Sequence, residues 1–370
     1  MPSKPQFVGE CRRVKLNEIC SKGKSSLRQK DVINDGPYSV YGASGVVGTT
    51  SDYQNEIPYV AVIKDGAGVG RANACEPMTS VLGTMQALIP NPNVERDYLL
   101  YLVRSLRLGD GFSGSTIPHI YFKDYGKIEV PLPSLEVQKR IVSQLGLIEA
   151  QIEQAEAQIT QLDQLVKSRF VEMFGDPVDG AIWTMQQLAN LYEVKSSKRI
   201  YAREQTKRGV PFLRLADVGS LIDSGMADSG LFISEERFEE LKAKGQVPAP
   251  DDVLVTARGT LGRCYMIKSA DRFYFQDGMI TWLAAGENSP LPSYLLAIFD
   301  NPHFIEQLNN NCSGTTVKYL SISDLANVAV PVPPLALQQE FASFVSQVDK
   351  SRFADLGDEG NEFLLGLDIS

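Results

Sequence analysis

Residues 114–145 read GSTIPHIYFKDYGKIEVPLPSLEVQKRIVSQL, and residues 314–345 read GTTVKYLSISDLANVAVPVPPLALQQEFASFV. The stretches align without a gap at an offset of 200 residues. Nine positions are identical: Gly114/Gly314, Thr116/Thr316, Asp124/Asp324, Val130/Val330, Pro131/Pro331, Pro133/Pro333, Leu135/Leu335, Gln138/Gln338 and Ser143/Ser343. Self-similarity constrains architecture before any local propensity does, because each copy must serve the same physical purpose in its own half. Two copies are too few for a solenoid. Within each copy the grammar is the same. Ile128 and Val130, like Val328 and Val330, alternate as in a strand. The Pro-x-Pro that follows ends the strand and keeps the chain extended. A helix is then predicted from Ser134 in one copy and from near Pro334 in the other, since proline is tolerated in a first turn.

The first of these helices is long. Apolar or small residues recur at Ile141, Leu145, Ile148, Ile152, Ala155, Ile159, Leu162, Val166, Phe170 and Met173. Steps of three and four make a heptad seam, which needs a partner to cover it. From 134 to 174 such a helix runs about 60 Å at ~1.5 Å per residue. The second copy offers the partner: Leu337, Phe341, Val345 and Val348 stand 200 residues after Val137, Ile141, Leu145 and Ile148. Arg352 then replaces Ile152, so the second helix is expected to end near 356, before an acidic tail at 357–370. The expected seam is Ile141, Leu145, Ile148, Ile152, Ile159, Leu162 and Val166 against Phe341, Val345 and Val348.

Two globular segments remain, 1–130 and 176–330, flanking a first helical segment at 131–175 and preceding a second at 331–356. Gly175 and Pro177 in FGDP stop the first helix. The segments differ in most residues yet share a plan: a short apolar helix (VKLNEIC; MQQLANLYEV), a basic cluster, glycine-rich turns among short strands, a Leu/Tyr-rich helix and the Gly-Ser/Thr-Thr segment. The chain is acidic, 45 Asp and Glu against 36 Lys and Arg for a net charge of −9, but an average does not decide local binding. Arg12, Arg13, Lys15, Lys22, Lys24, Arg28 and Lys30 are accompanied between 12 and 30 by Glu18 alone. Lys195, Lys198, Arg199, Arg203, Lys207, Arg208 and Arg214 are accompanied between 195 and 214 by Glu204 alone. Such runs are usually solvated faces. A pair of them in matching places of two diverged halves points to a polyanion, since basic side chains that displace counterions supply most non-specific DNA affinity.

Catalytic and nucleotide motifs are wanting. YGASGVVG and DGAGVGRA fit neither a dinucleotide fingerprint nor a P-loop. Asn301-Pro302-His303-Phe304 approaches an amino-methyltransferase motif but sits in a helical stretch, where a helix turn is the simpler reading. Five scattered cysteines and two histidines suggest neither disulfides nor a metal. The N-terminus lacks an apolar leader segment, and no run of about 18 apolar residues predicts a membrane span. More telling are Ala257-Arg258-Gly259-Thr260-Leu261-Gly262-Arg263 after the strand-like DVLVT, and Lys64-Asp65-Gly66-Ala67-Gly68-Val69-Gly70-Arg71 after YVAVI. Glycines admit a phosphate to the backbone, and arginines reach phosphates or a guanine edge. Ser115, Thr116, Thr315 and Thr316 could donate to phosphates at matched positions. The expected DNA contacts are therefore these four with Arg12, Arg13, Lys15, Lys22, Lys24, Arg71, Lys195, Lys198, Arg199, Arg258, Thr260 and Arg263.

Two diverged domains, each followed by a PLPSLEVQKRI- or PVPPLALQQEF-type helix, with SRFVEMFGDP ending the long one, closely resemble the specificity subunit of type I restriction–modification systems over about 1–355. The resemblance implies an α+β fold. Two globular α/β target recognition domains would be separated by an antiparallel coiled coil of two conserved helices, with pseudo-two-fold symmetry. It implies a non-catalytic chain that reads a bipartite site in double-stranded DNA and docks two methyltransferase subunits, with restriction subunits beyond them. S-adenosylmethionine, ATP and magnesium would belong to those partners and no cofactor to this chain, which is expected in the cytoplasm. A shortened second helix departs from the family pattern. The alternative is a coiled-coil scaffold without DNA readout, which would show no steep salt dependence.

Overall fold

A computed structural model of the chain describes residues 11–113, 118–180, 182–312 and 318–366. The first half runs β1 (Arg12–Lys15), α1 (Leu16–Ile19), β2 (Cys20–Lys22), β3 (Tyr38–Gly42), β4 (Gly45–Thr50), β5 (Tyr59–Ile63), β6 (Ala72–Cys75), β7 (Ser80–Val81) and β8 (Met85–Pro90). There follow α2 (Arg96–Ser105), α3 (Phe122–Tyr125), β9 (Glu129–Leu132) and the long α4 (Leu135–Phe174). The second half runs β10 (Met185–Gln187), α5 (Leu188–Leu191), β11 (Tyr192–Lys195), β12 (Gln205–Thr206), β13 (Val210–Leu213), α6 (Leu215–Ser224), β14 (Phe232–Ile233) and α7 (Glu235–Ala243). It continues through β15 (Val253–Thr256), β16 (Cys264–Met266), β17 (Tyr274–Phe275), β18 (Ile280–Ala285), α8 (Pro292–Phe299), α9 (Pro302–Asn311), α10 (Ile322–Asn327), β19 (Ala329–Pro331) and α11 (Leu335–Gly366).

The duplication reaches far beyond the repeated segment. In one half an antiparallel sheet has the order β2-β8-β5-β6; in the other it is β11-β18-β15-β16. Each half opens with a strand paired to the one before its Pro-x-Pro: β1 with β9, β10 with β19. The central strands, YVAVI and VLVT, are buried at every position, so they read as continuous apolar runs rather than alternation. What differs is inserted around this frame. The first half adds β4-β3-β7; the second adds β12-β14-β13-β17 with α6 and α7. Residues diverge where loops carry a private sheet and agree where the frame must close.

Helix ends follow local chemistry. Ser321 accepts from the Asp324 amide at 3.0 Å while Asp324 accepts from the Ser321 amide at 3.2 Å, a reciprocal cap on α10. Asn301 caps α9 by accepting from the amides of His303 and Phe304, with Pro302 in the first turn. The Asn-Pro-His-Phe stretch is thus a helix start. Gly175, at φ +78°, ends α4.

By contacts the chain divides into two compact units at Ala155–Glu156, inside α4. In the first unit Ile141 and Val142 pack against that domain's core, so Ile141 serves the domain rather than a rod. In the second unit Phe170 and Phe174 of α4 and Phe341 of α11 join one core with Tyr294 of α8, with Val166, Leu337 and Val345 packed against it. Arg169 bonds Glu340 at 2.8 Å, and Arg352 bonds Asp163. Numbers rising along α4 meet numbers falling along α11, so here the helices run antiparallel. Val348 is buried as the seam requires. Leu145, Ile148 and Leu162 are half-buried, whereas Ile152 and Ile159 are 53% and 40% exposed. The second helix also continues past the expected end near 356, to Gly366. Its α-helix runs through Gly357 and Gly360, each a cost of about 1 kcal/mol against alanine rather than an obligatory stop. Among the described residues no helix is long and apolar enough to cross a membrane.

Candidate nucleic-acid interface

The repeated segment builds a catch that fixes each domain to its helix. Gln138, in the first turns of α4, is fully buried. Its Oε1 accepts from the Glu95 amide at 2.9 Å, and its Nε2 donates to the carbonyls of Asn93 (3.0 Å) and Pro133 (2.9 Å). Gln338 repeats this in α11: Oε1 accepts from the Leu291 amide at 2.8 Å and Nε2 donates to Pro333 at 2.8 Å. Glu95 and Leu291 are the residues that open α2 and α8. Three residues on, Tyr98 and Tyr294 donate their hydroxyls to the carbonyls of Pro131 (2.9 Å) and Pro331 (3.0 Å). Burial pushes the Tyr98 hydroxyl up to about 12, so it remains a donor. The strands and helices of each half therefore meet at two buried polar points, with the glutamine amide paired at both its oxygen and its nitrogen.

The same frame presents the glycine-rich hairpins. In the first domain the Ile63 amide donates to Arg71 (2.8 Å), the Gly70 amide to Ile63 (2.8 Å) and the Ile120 amide to Lys64 (2.9 Å). In the second the Thr256 amide donates to Arg263 (2.9 Å), the Gly262 amide to Thr256 (2.9 Å) and the Leu320 amide to Ala257 (3.1 Å). Lys64 and Ala257, Asp65 and Arg258, and Arg71 and Arg263 are thus structurally equivalent. Gly70 sits at φ +87°, and a Cβ there would come within 2.2 Å of the Gly109 amide.

In the second domain the fold gathers Arg199, Arg258 and Arg214 around an open groove of about 550 Å³, together with Gln205, Gln276 and Tyr319. Arg199 is held by Asp277 at 2.8 Å and Arg214 by Asp217 at 3.5 Å. The Arg258 guanidinium lies 4.7 Å from the Tyr319 ring centroid. In the first domain Arg71 lines a smaller groove of about 460 Å³ with Arg104, Arg107 and Asn73. Sequence reading singled out neither Arg104 and Arg107 nor the Gln205, Gln276 and Tyr319 set. Their only signal was proximity to a basic cluster, a helix end or the Gly-Thr-Thr segment.

The remaining expected contacts divide. Lys15, Arg12 and Arg13 lie on β1, beside β9 and the start of α4, whose counterpart is β10. The two basic clusters are therefore equivalent only from Lys22 onward, because pairing of β2 with β8 and β11 with β18 matches Lys22 to Val194. Lys22 stands 5.8 Å from the Phe122 ring, and Lys24 is exposed. Lys195 is engaged, 4.1 Å over the Trp282 ring and 2.7 Å from Glu193, and Arg263 is paired with Asp223. Lys198 and Thr260 are exposed. Ser115, Thr116, Thr315 and Thr316 lie outside the described residues.

Comparison with known proteins agrees with this duplicated plan. The family model of the type I restriction modification DNA specificity domain matches residues 10–164 and again 182–355. A type I restriction enzyme specificity subunit of Haemophilus influenzae is 24% identical over 351 residues, 90% of this chain and 84% of that protein. The MjaIX specificity subunit of Methanocaldococcus jannaschii is 26% identical over 312 residues, 78% of this chain and 68% of that one. In fold the chain is similar to the crystal structure of a type I restriction–modification S subunit from M. genitalium, with a TM-score of 0.57 at 16% identity over 99% and 96% of the two chains. Two family matches, one on each side of the end of α4, coincide with the two frames of the structure. The chain belongs to the type I restriction–modification DNA specificity family and is a non-catalytic DNA sequence-specificity subunit built of two such domains.

Proposed function

We propose that this chain reads a split site in double-stranded DNA, one half-site per domain, and that the two repeated helices present equivalent faces to two methyltransferase subunits. The observation that carries this reading is the duplicated catch: Gln138 and Gln338, with Tyr98 and Tyr294, hold matching frames on which hairpins of differing sequence and unlike private sheets are mounted. A shared frame suits a shared partner, and differing surfaces suit differing base sequences. The partners supply the transfer of a methyl group from S-adenosylmethionine. Restriction subunits, where present, add ATP- and magnesium-dependent cleavage. All of this takes place in the cytoplasm.

Basic residues of β1, with Arg199 and Arg214 at the groove, neutralise phosphates, while the hairpins face base edges. Swapping 11–130 for the corresponding domain of a relative, with the methyltransferase present, should alter one half of the methylated motif and leave the other half unchanged. A motif altered in both halves overturns the division of labour. DNA affinity should also fall steeply with salt, and neutralising Arg12, Arg13 and Lys15 together should lower that slope by about one for each phosphate they no longer neutralise. A scaffold without DNA readout would show neither effect.

A further inference from the structure

The two hairpins superpose in hydrogen bonding yet carry opposite charge at one equivalent position. Arg258 follows Ala257 in the second domain, and Asp65 follows Lys64 in the first; the Ile120 and Leu320 amides bond the carbonyl just before each. The residues beside them are also equivalent, His119 bridging Asp65 in one and Tyr319 lying under Arg258 in the other. Among the described residues, neither Asp65 nor Arg258 spends its charged group on a side-chain hydrogen bond or ion pair, although most arginines of the second domain are so engaged. Arg258 also has a buried Nε with no hydrogen-bond partner. The guanidinium lies over the Tyr319 ring, 4.7 Å from its centroid, at the wall of a groove whose other two arginines are paired with Asp277 and Asp217.

We propose that this single hairpin position reads a base in each half-site. Arg258 takes the O6 and N7 edge of a guanine, and Asp65 accepts from the exocyclic amino group of a cytosine. The inference rests on the bipartite reading above. A planar fork matches the two guanine acceptors, and a carboxylate is the side chain that accepts from cytosine N4. Arg199 and Arg214, held by carboxylates, take phosphates beside the guanine. The opposite charges of one equivalent position thus give the heads unlike preferences on a common frame.

The test is selection from a randomised duplex library by the full chain together with its methyltransferase, sequencing the bound fraction. Wild type should enrich a split motif with guanine in one half and cytosine in the other. Arg258→Gln should lower the guanine preference roughly five- to 150-fold and leave the other half-site unchanged. Arg258→Lys keeps the charge and can still donate to guanine, so it should retain overall affinity with a guanine preference weaker than wild type but stronger than Arg258→Gln. Asp65→Asn should relax the cytosine preference alone. An unchanged guanine preference in Arg258→Gln, or an even loss of binding across all sequences in that variant, overturns the assignment while leaving the split motif, and hence the bipartite reading, intact. A wild-type chain that selects no split motif overturns both.

Discussion

Gln138 shows how a residue can be visible in sequence while its purpose is not. Its identity with Gln338 stands out in the alignment, but its partners Asn93 and Glu95 lie more than forty positions away and are joined only by the fold. Gln138→Ala would leave a buried amide and carbonyls unpaired, so unfolding of the first domain should shift by about 3 kcal/mol, read from its denaturation midpoint. Gln338→Ala should do the same to the second domain only. His303 offers a pH test. The Asp176 carboxylate bonded to its ring raises the imidazole above its ordinary value. Partial burial pushes Asp176 up, but His303 and the Val178 amide outweigh it and hold the carboxyl low. The histidine's contribution is complete below its unfolded value and disappears as pH rises through the raised folded one; that of Asp176 disappears as pH falls through its lowered one. The stability profile of His303→Gln should therefore be flatter between the imidazole's unfolded value and its raised folded one, checked by thermal melts across pH.

At the scale of an element, the heptad spacing of α4 was legible, but not what covers each turn. Phe170, Phe174 and Phe341 share a core with Tyr294, ring centroids 4.8 to 5.7 Å apart. Phe341→Ala should cost about 3–5 kcal/mol in the second unit, measured by chemical denaturation. Ile152, written at the same period yet 53% exposed, should tolerate serine within about 0.5 kcal/mol in the isolated chain. Periodicity specifies a face; only the neighbour decides whether that face is buried. Ile141 makes the same point from the other side, since its heptad place is taken up by the first domain's own core.

For the whole molecule, the proposed division into two readers makes helix length a specificity parameter. Seven residues added to α4 near Glu156, with a matching heptad in α11, keep the seam face and add ~10.5 Å, equivalent to about three base pairs at ~3.4 Å each. The methylated motif should gain that gap with both half-sites unchanged. By itself the amino-acid sequence determined the duplication, the long helix and the glycine-rich hairpins, because identity, period and backbone permissiveness are properties of neighbouring residues or of a fixed offset. Tertiary structure alone decided which basic residues share a groove, that Lys195 and Arg263 are already engaged, and that Asp65 answers to Arg258. Those relations are set by strand register and by side chains converging from distant segments, and no local rule along the chain encodes a distance across it.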